Sequence, residues 1–353
     1  DLIKKARPSA PGLFEDKSSW PTDNEAMESD LRKKLEALEG VSNSDARKII
    51  FDLERDHGPR REWVWARLRN SPLANSLKYL HTLAVHTETN LGGTSPDSMA
   101  DLYKKDGWPA DLAAINALAA VNSSEDFKAV QSAIRSLYLE WLEKGAEHFQ
   151  KLIIENPLPT ANKDEAFTLK SKKGCMILFA DGLRWDLANE LSCKLKEDGF
   201  LIKLESAWAG LPSVTATAKP AVSPIAKNIK GDTPGEDFCP NLLDNGKTLT
   251  TDRFRKLLKE ANCEYISPEE MGDPSISGWT EDGDLDKMGH SLQAKLVGQI
   301  KKQIDLMRER VSALIDAGWK EIIIVTDHGW LLLPGGLPKI SLPKYLTESR
   351  WAR

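Results

Sequence analysis

Two short runs limit what this chain can become. Cys175–Ala180 (CMILFA) and residues 322–325 (IIIV) are uninterrupted apolar stretches of strand length. Neither has the polar alternation of a half-exposed strand, so each reads as a buried strand. Each also runs into an acid: Asp181 followed by Gly182, and, two residues after Val325, Asp327 followed by His328 and Gly329. Helical patterns lie between the two runs, in LRWDLANELSCKLKEDG and the long DKMGHSLQAKLVGQIKKQIDLMRERVSALIDAGWK, while TTDRFRKLLKEANCEYIS reads as a helix and then a short strand. FLIKLESAWAG reads as a further strand, LPSVTATAKPAV as a loop opening a helix, and residues 227–249 as an irregular insertion. Strands alternating with helices predict an α/β domain, a mostly parallel sheet with helices on both faces. Ligands of such sheets collect at the carboxyl ends of the strands.

The chain before these runs has a different texture. Residues 1–23 are polar and Pro-rich and read as an arm or linker. Residues 24–155 carry apolar positions at helical spacing, punctuated by Gly40, by Ser71-Pro72 and by the capping run at residues 123–126, and predict an all-helical domain. Residues 156–171 form a Pro-rich charged linker, and residues 172–353 form the strand-bearing domain. There is no internal repeat.

Composition narrows the class. No apolar run approaches the roughly 18–20 residues that a membrane helix needs, and the N-terminal stretch lacks the apolar core of a signal peptide. The four cysteines contain no CxxC pair, which argues against a zinc ribbon and a disulfide scaffold. A reducing cytoplasm is the expected compartment. The net charge of −5 argues against broad coating of nucleic acid while leaving room for a local phosphate-binding groove. Trp63 and Trp65, among Arg60, Arg61, Arg67 and Arg69, could form a stacking platform for nucleic acid. Packed tryptophans with a solvated arginine face are the favoured reading.

The acids at the strand ends carry the chemistry. Carboxylate oxygens of Asp181 and Asp327 and an imidazole nitrogen of His328 suit a zinc ion. Ser213, Thr215 and Thr217 lie where a loop opens a helix, and a hydroxyl there becomes a nucleophile if a metal lowers its pKa. Either acid could instead belong to an ordinary turn or helix cap, and Thr215 could be only a capping residue. Asp286 and His290 are spaced i, i+4 and share a face if that turn is helical. Lys219 and Arg184 are candidates to contact a phosphate oxygen, with a merely solvated role as the alternative.

These elements together resemble the alkaline-phosphatase superfamily. FADGLRWDLANEL, LPSVTATAKP and VTDHGWLLLPGGLPK look specifically like the PglZ domain, whose best-known members belong to BREX phage-defence systems. The resemblance covers roughly residues 172–353. It implies an alkaline-phosphatase-like fold and a metal-dependent phosphoesterase, with phosphodiesterase or nuclease-like activity favoured. It implies one zinc held by Asp181, Asp327 and His328, and a second held by Asp286 and His290. Thr215 would be the nucleophile, because it stands three residues after Pro212. The family's second metal takes a further His downstream, and no His follows His328. With no initiating Met, the chain is expected to be a fragment carrying one zinc or none, of a whole protein carrying two. Implied partners are other BREX proteins and a nucleotide or nucleic-acid substrate, with no membrane. The rival expectations are a non-catalytic assembly module with a structural or incomplete metal site, and a phosphomonoesterase or phosphomutase.

Overall fold

The computed structural model of the protein describes residues 18, 20–158, 169–231, 239–282, 284–292 and 296–336. Most of the proposed arm and of the proposed linker lies outside the described residues. The chain divides into two compact units. One is helical and takes in the described residues up to 158 together with 332–336; the other holds the described residues from 169 to 331.

The helical unit runs α1 (Pro21–Glu36), α2 (Asn43–His57), the short α3 (Val64–Arg67), α4 (Pro72–His86), α5 (Pro96–Leu102), α6 (Trp108–Ala119) and the long α7 (Ser124–Glu155). Local chemistry sets several boundaries. Ser42 and Ser123 accept hydrogen bonds from the backbone N–H groups of Asp45 and Asp126, capping α2 and α7. Helix α4 begins at Pro72, and its next N–H groups are capped from a distance: Leu73 N and Ala74 N donate to Glu28 on α1 at 2.9 and 3.3 Å. Arg60, only 1% exposed, donates to the same carboxylate at 2.8 Å and to Asn24 Oδ1 at 2.7 Å. Arg61 pairs with Glu54. Two of the arginines beside Trp63 and Trp65 are thus internal ion-pair partners. Residues 332–336 pack with this unit, where Arg135 Nη1 donates to the carbonyls of Pro334 and Gly336 at 2.9 and 2.8 Å.

The second unit is a mixed α/β structure built on a four-stranded, all-parallel sheet in the order β4-β5-β1-β6. Its strands are β1 (Cys175–Ala180), β4 (Cys263–Tyr265), β5 (Ser277–Asp282) and β6 (Glu321–Val325). A small antiparallel pair, β2 (Ile229–Lys230) and β3 (Asn241–Leu242), lies apart from it in the region read as an insertion. The helices are α8 (Trp185–Glu197), α9 (Thr215–Ala221), α10 (Thr251–Glu260), α11 (Asp284–Leu292) and α12 (Val297–Asp316). All six residues of β1 are buried, so both faces of that strand are covered. Cys175, Ile177 and Phe179 pack on one face with Trp279, Val325 and the α10 residues Phe254 and Leu258.

Two strand readings change. Residues 200–210, read as a strand, form none, and Leu201 is fully exposed. The composition of the segment favours an extended chain, but a strand needs a neighbour. Strand β5, in contrast, was hidden by Gly278. A Cβ there would lie 2.8 Å from both Ile266 Cδ1 and Trp319 Cη2, and 2.9 Å from Met176 Cε, so close packing demands glycine inside the strand.

Candidate metal centre

Register brings the two acid-bearing strand ends together. Phe179 pairs with Val325 in the parallel β1–β6 ladder. Two residues further along each strand stand Asp181 and Asp327. Asp181 does not cap the next helix: Arg184 is the N-cap of α8, with no capping side-chain bond. Thr215 is likewise no cap. Val214 holds that position, and Thr215 opens the helix with its hydroxyl turned to the strand ends.

Three donor atoms form a small triangle. Thr215 Oγ1 lies 3.3 Å from Asp181 Oδ1 and 3.2 Å from His328 Nε2, and the latter two are 3.4 Å apart. Asp327 Oδ2 lies 3.7 Å from the same imidazole nitrogen. Two ligands about 2.0–2.2 Å from one tetrahedral ion stand about 3.3–3.6 Å apart, so the spacing fits a zinc-sized cation. Ligand atoms of Asp181, Asp327 and His328 all lie within 4.8 Å of one another.

The electrostatics fit as well. Asp327 is 2% exposed. Its Oδ1 accepts from Gly182 N and His328 N at 3.3 and 3.0 Å. Its Oδ2 is buried with no hydrogen-bond partner. An unsatisfied buried carboxylate oxygen is costly and calls for a cation. Burial, with the nearby charge of Asp181, pushes the Asp327 carboxyl up. The hydrogen bond His328 donates to Asp181 and the charge of Asp327 push His328 up to about 9, against the opposing effect of burial, so a cation binding here displaces that proton. His328 Nδ1 donates to Gly329 O at 3.2 Å, which leaves Nε2 facing the carboxylates.

Asp286 and His290 lie on α11, which begins at Asp284 and contains Gly289. His290 Nε2 is 3.3 Å from Asp286 Oδ2, and the imidazole is 84% exposed. Asp286 Oδ1 reaches to 4.0 Å from His328 Nε2. Asp286 therefore stands at the border of the first cluster, with His290 on its outer side.

The two candidate phosphate contacts are already engaged. Lys219 Nζ pairs with Glu281 at 2.7 Å and lies over the rings of Phe179 and Phe254 at 5.1 and 5.4 Å. Arg184, 7% exposed, makes a bidentate pair with fully buried Asp186, both bonds at 2.9 Å. Its Nη1 donates to Trp330 O at 3.2 Å, and its guanidinium stacks 4.5 Å from the Trp330 ring. Sequence reasoning did not single out Asp186, Glu281 or Trp330. The alternation Arg184-Trp185-Asp186 and the tryptophan two residues after His328 were the available signals.

No protein-family model matches the chain, and no curated protein matches it. Among the described residues, no helix is long and apolar enough to cross a membrane.

Proposed function

We propose that the protein is a metal-dependent phosphoesterase with an alkaline-phosphatase-like, PglZ-type catalytic domain, acting through Thr215 and favouring phosphodiesters of nucleotide or nucleic-acid type. The triangle of Thr215 Oγ1, Asp181 Oδ1 and His328 Nε2, at 3.2–3.4 Å, carries this reading. Asp181, Asp327 and His328 would hold the ion, zinc by donor chemistry, and the buried, unpartnered Asp327 Oδ2 supports that assignment. A divalent cation there supplies a lowered pKa for a neighbouring hydroxyl and charge stabilisation for a phosphoryl group. Thr215 Oγ1 donates to Asp181 Oδ1, which fixes the direction of its proton and leaves a lone pair free for in-line attack on phosphorus. The new Oγ1–P bond forms as the ester P–O bond breaks, and water then releases the phosphothreonine.

The engagement of Lys219 and Arg184 supports a diester. A doubly charged monoester would have to draw a cation away from Glu281 or Asp186, whereas a singly charged diester would not. Cytoplasmic BREX defence proteins are the partners this reading implies. One observation favours a second reading, a non-catalytic assembly module with a structural ion: His290 is 84% exposed beside Asp286.

The test uses zinc content and hydrolysis of bis-p-nitrophenyl and p-nitrophenyl phosphate. Thr215→Ala keeps the zinc and lowers diester turnover by about a thousandfold or more, as expected when a nucleophile is removed; Thr215→Ser retains part of it. Wild-type turnover in Thr215→Ala overturns the covalent mechanism. Bound zinc with no hydrolysis of either ester selects the assembly module.

A further inference from the structure

The loop after β1 and the loop after β6 carry the candidate ligands, and three hydrogen bonds cross between them. Gly182 N donates to Asp327 Oδ1 at 3.3 Å. In the opposite direction, Trp330 Nε1 donates to Gly182 O at 2.8 Å. Arg184 Nη1 donates to Trp330 O at 3.2 Å. Gly182 thus uses both backbone polar groups on the other loop. It does so with φ +70°, a conformation that favours glycine, and a Cβ there would also lie a tight 3.3 Å from Asp286 Cβ.

Arg184 locks this arrangement from beneath. Its bidentate bonds to Asp186 anchor the guanidinium to the first turn of α8, and its Cζ lies 4.5 Å from the centre of the Trp330 ring. A guanidinium can form a planar two-bond fork, a third bond and a stack at once; an ammonium cannot. We propose that Arg184, Asp186, Trp330 and Gly182 form a clasp that holds the two ligand-bearing loops in register, with Arg184 and Trp330 acting as positioning residues for the metal centre and not as phosphate ligands. The positioning role rests on the metal reading above; the clasp itself does not. Partners that orient metal ligands from behind commonly govern affinity by 10–100-fold.

Two variants test the clasp with little risk to the fold. Trp330→Phe removes the indole N–H and keeps a ring over Arg184. Arg184→Lys keeps the charge and loses the fork and the stack. Amide hydrogen exchange of the zinc-free protein is measured at Gly182 and His328, with Ile177 and Leu178 in β1 as internal controls. Zinc titration and KM and kcat for bis-p-nitrophenyl phosphate follow. The clasp predicts exchange at Gly182 and His328 about tenfold faster or more in both variants, with the β1 amides unchanged. It also predicts zinc affinity weaker by about 10-fold or more. Unchanged exchange at both amides in both variants overturns it. So does a rise in KM for Arg184→Lys at unaltered zinc affinity and exchange, which would make Arg184 a phosphate ligand. Faster local exchange in a protein whose wild type binds no zinc supports the clasp and removes the metal reading instead.

Discussion

Asp327 is a single residue poorly accommodated in the fold at the candidate site. Its Oδ1 is satisfied by two backbone N–H groups, while its Oδ2 is buried with none. Leaving such a group unsatisfied costs about 1–3 kcal/mol. Asp327→Asn removes the buried charge while preserving an oxygen for Gly182 N and His328 N. At a pH above about 9, where His328 is neutral and its ion pair with Asp327 makes no contribution, the zinc-free variant should therefore melt no lower than zinc-free wild type. The wild type should gain about 2.7 kcal/mol at zinc one hundredfold above its dissociation constant, and the variant should gain almost none. Thermal denaturation with chelator and with zinc reads both effects. A large zinc-induced shift in Asp327→Asn would remove Asp327 from the ligand set. The candidates Asp181, Thr215 and His328 were legible because each lies at a junction where a strand ends or a helix begins, a place where composition and geometry coincide. Arg184 and Lys219 were less legible. A cation near an acid-rich site looks available until its partners, Asp186 and Glu281, are seen.

At the scale of elements, β1 and β6 could be read because continuous burial leaves a continuous apolar run. Strand β5 could not, since Gly278 and its polar neighbours break the apolar pattern, and the reason for that glycine is a neighbour distant in sequence. Trp319 is 2% exposed and donates Nε1–H to Met271 O at 2.8 Å, so its ring cannot retreat. Gly278→Ala would set a methyl 2.8 Å from that ring and from Ile266. Overpacking of this kind costs about 1–3 kcal/mol. Chemical denaturation of Gly278→Ala should show a loss in that range, and Ile266→Val in the same background should recover part of it. No loss would mean that β5 can shift away from Trp319. Residues 200–210 teach the converse: β-favouring composition alone does not make a strand.

The whole molecule contains two units, and the return of residues 332–336 to the helical one could not be read from the sequence. LLPGG carries no helical pattern, while Leu333 is 8% exposed and Arg135 holds the turn that follows. The helical unit also carries a pH dependence of its own. His57 is 4% exposed, and its Nδ1 lies 3.1 Å from Arg60 Nη1, so the neutral ring accepts that bond. Burial first, then the guanidinium of Arg60, holds His57 below its ordinary value of 6.5. The unfolded chain therefore binds the proton more readily. Stability from the neutral ring is full above pH 6.5 and is lost as pH falls from there through the depressed folded value. Each unit of depression corresponds to about 1.4 kcal/mol. Glu28 acts in the opposite sense at lower pH, because burial raises its carboxyl above 4.5 and acidification favours the folded form. Comparison of wild type with His57→Gln isolates the histidine, since Glu28 is common to both. Calorimetric scans from pH 7.5 to 5.5 should show the melting temperature of the wild-type helical unit falling more steeply than that of the variant. Parallel curves would mean that His57 accepts its proton in the folded state as readily as in the unfolded chain, and that Arg60 turns aside when it does.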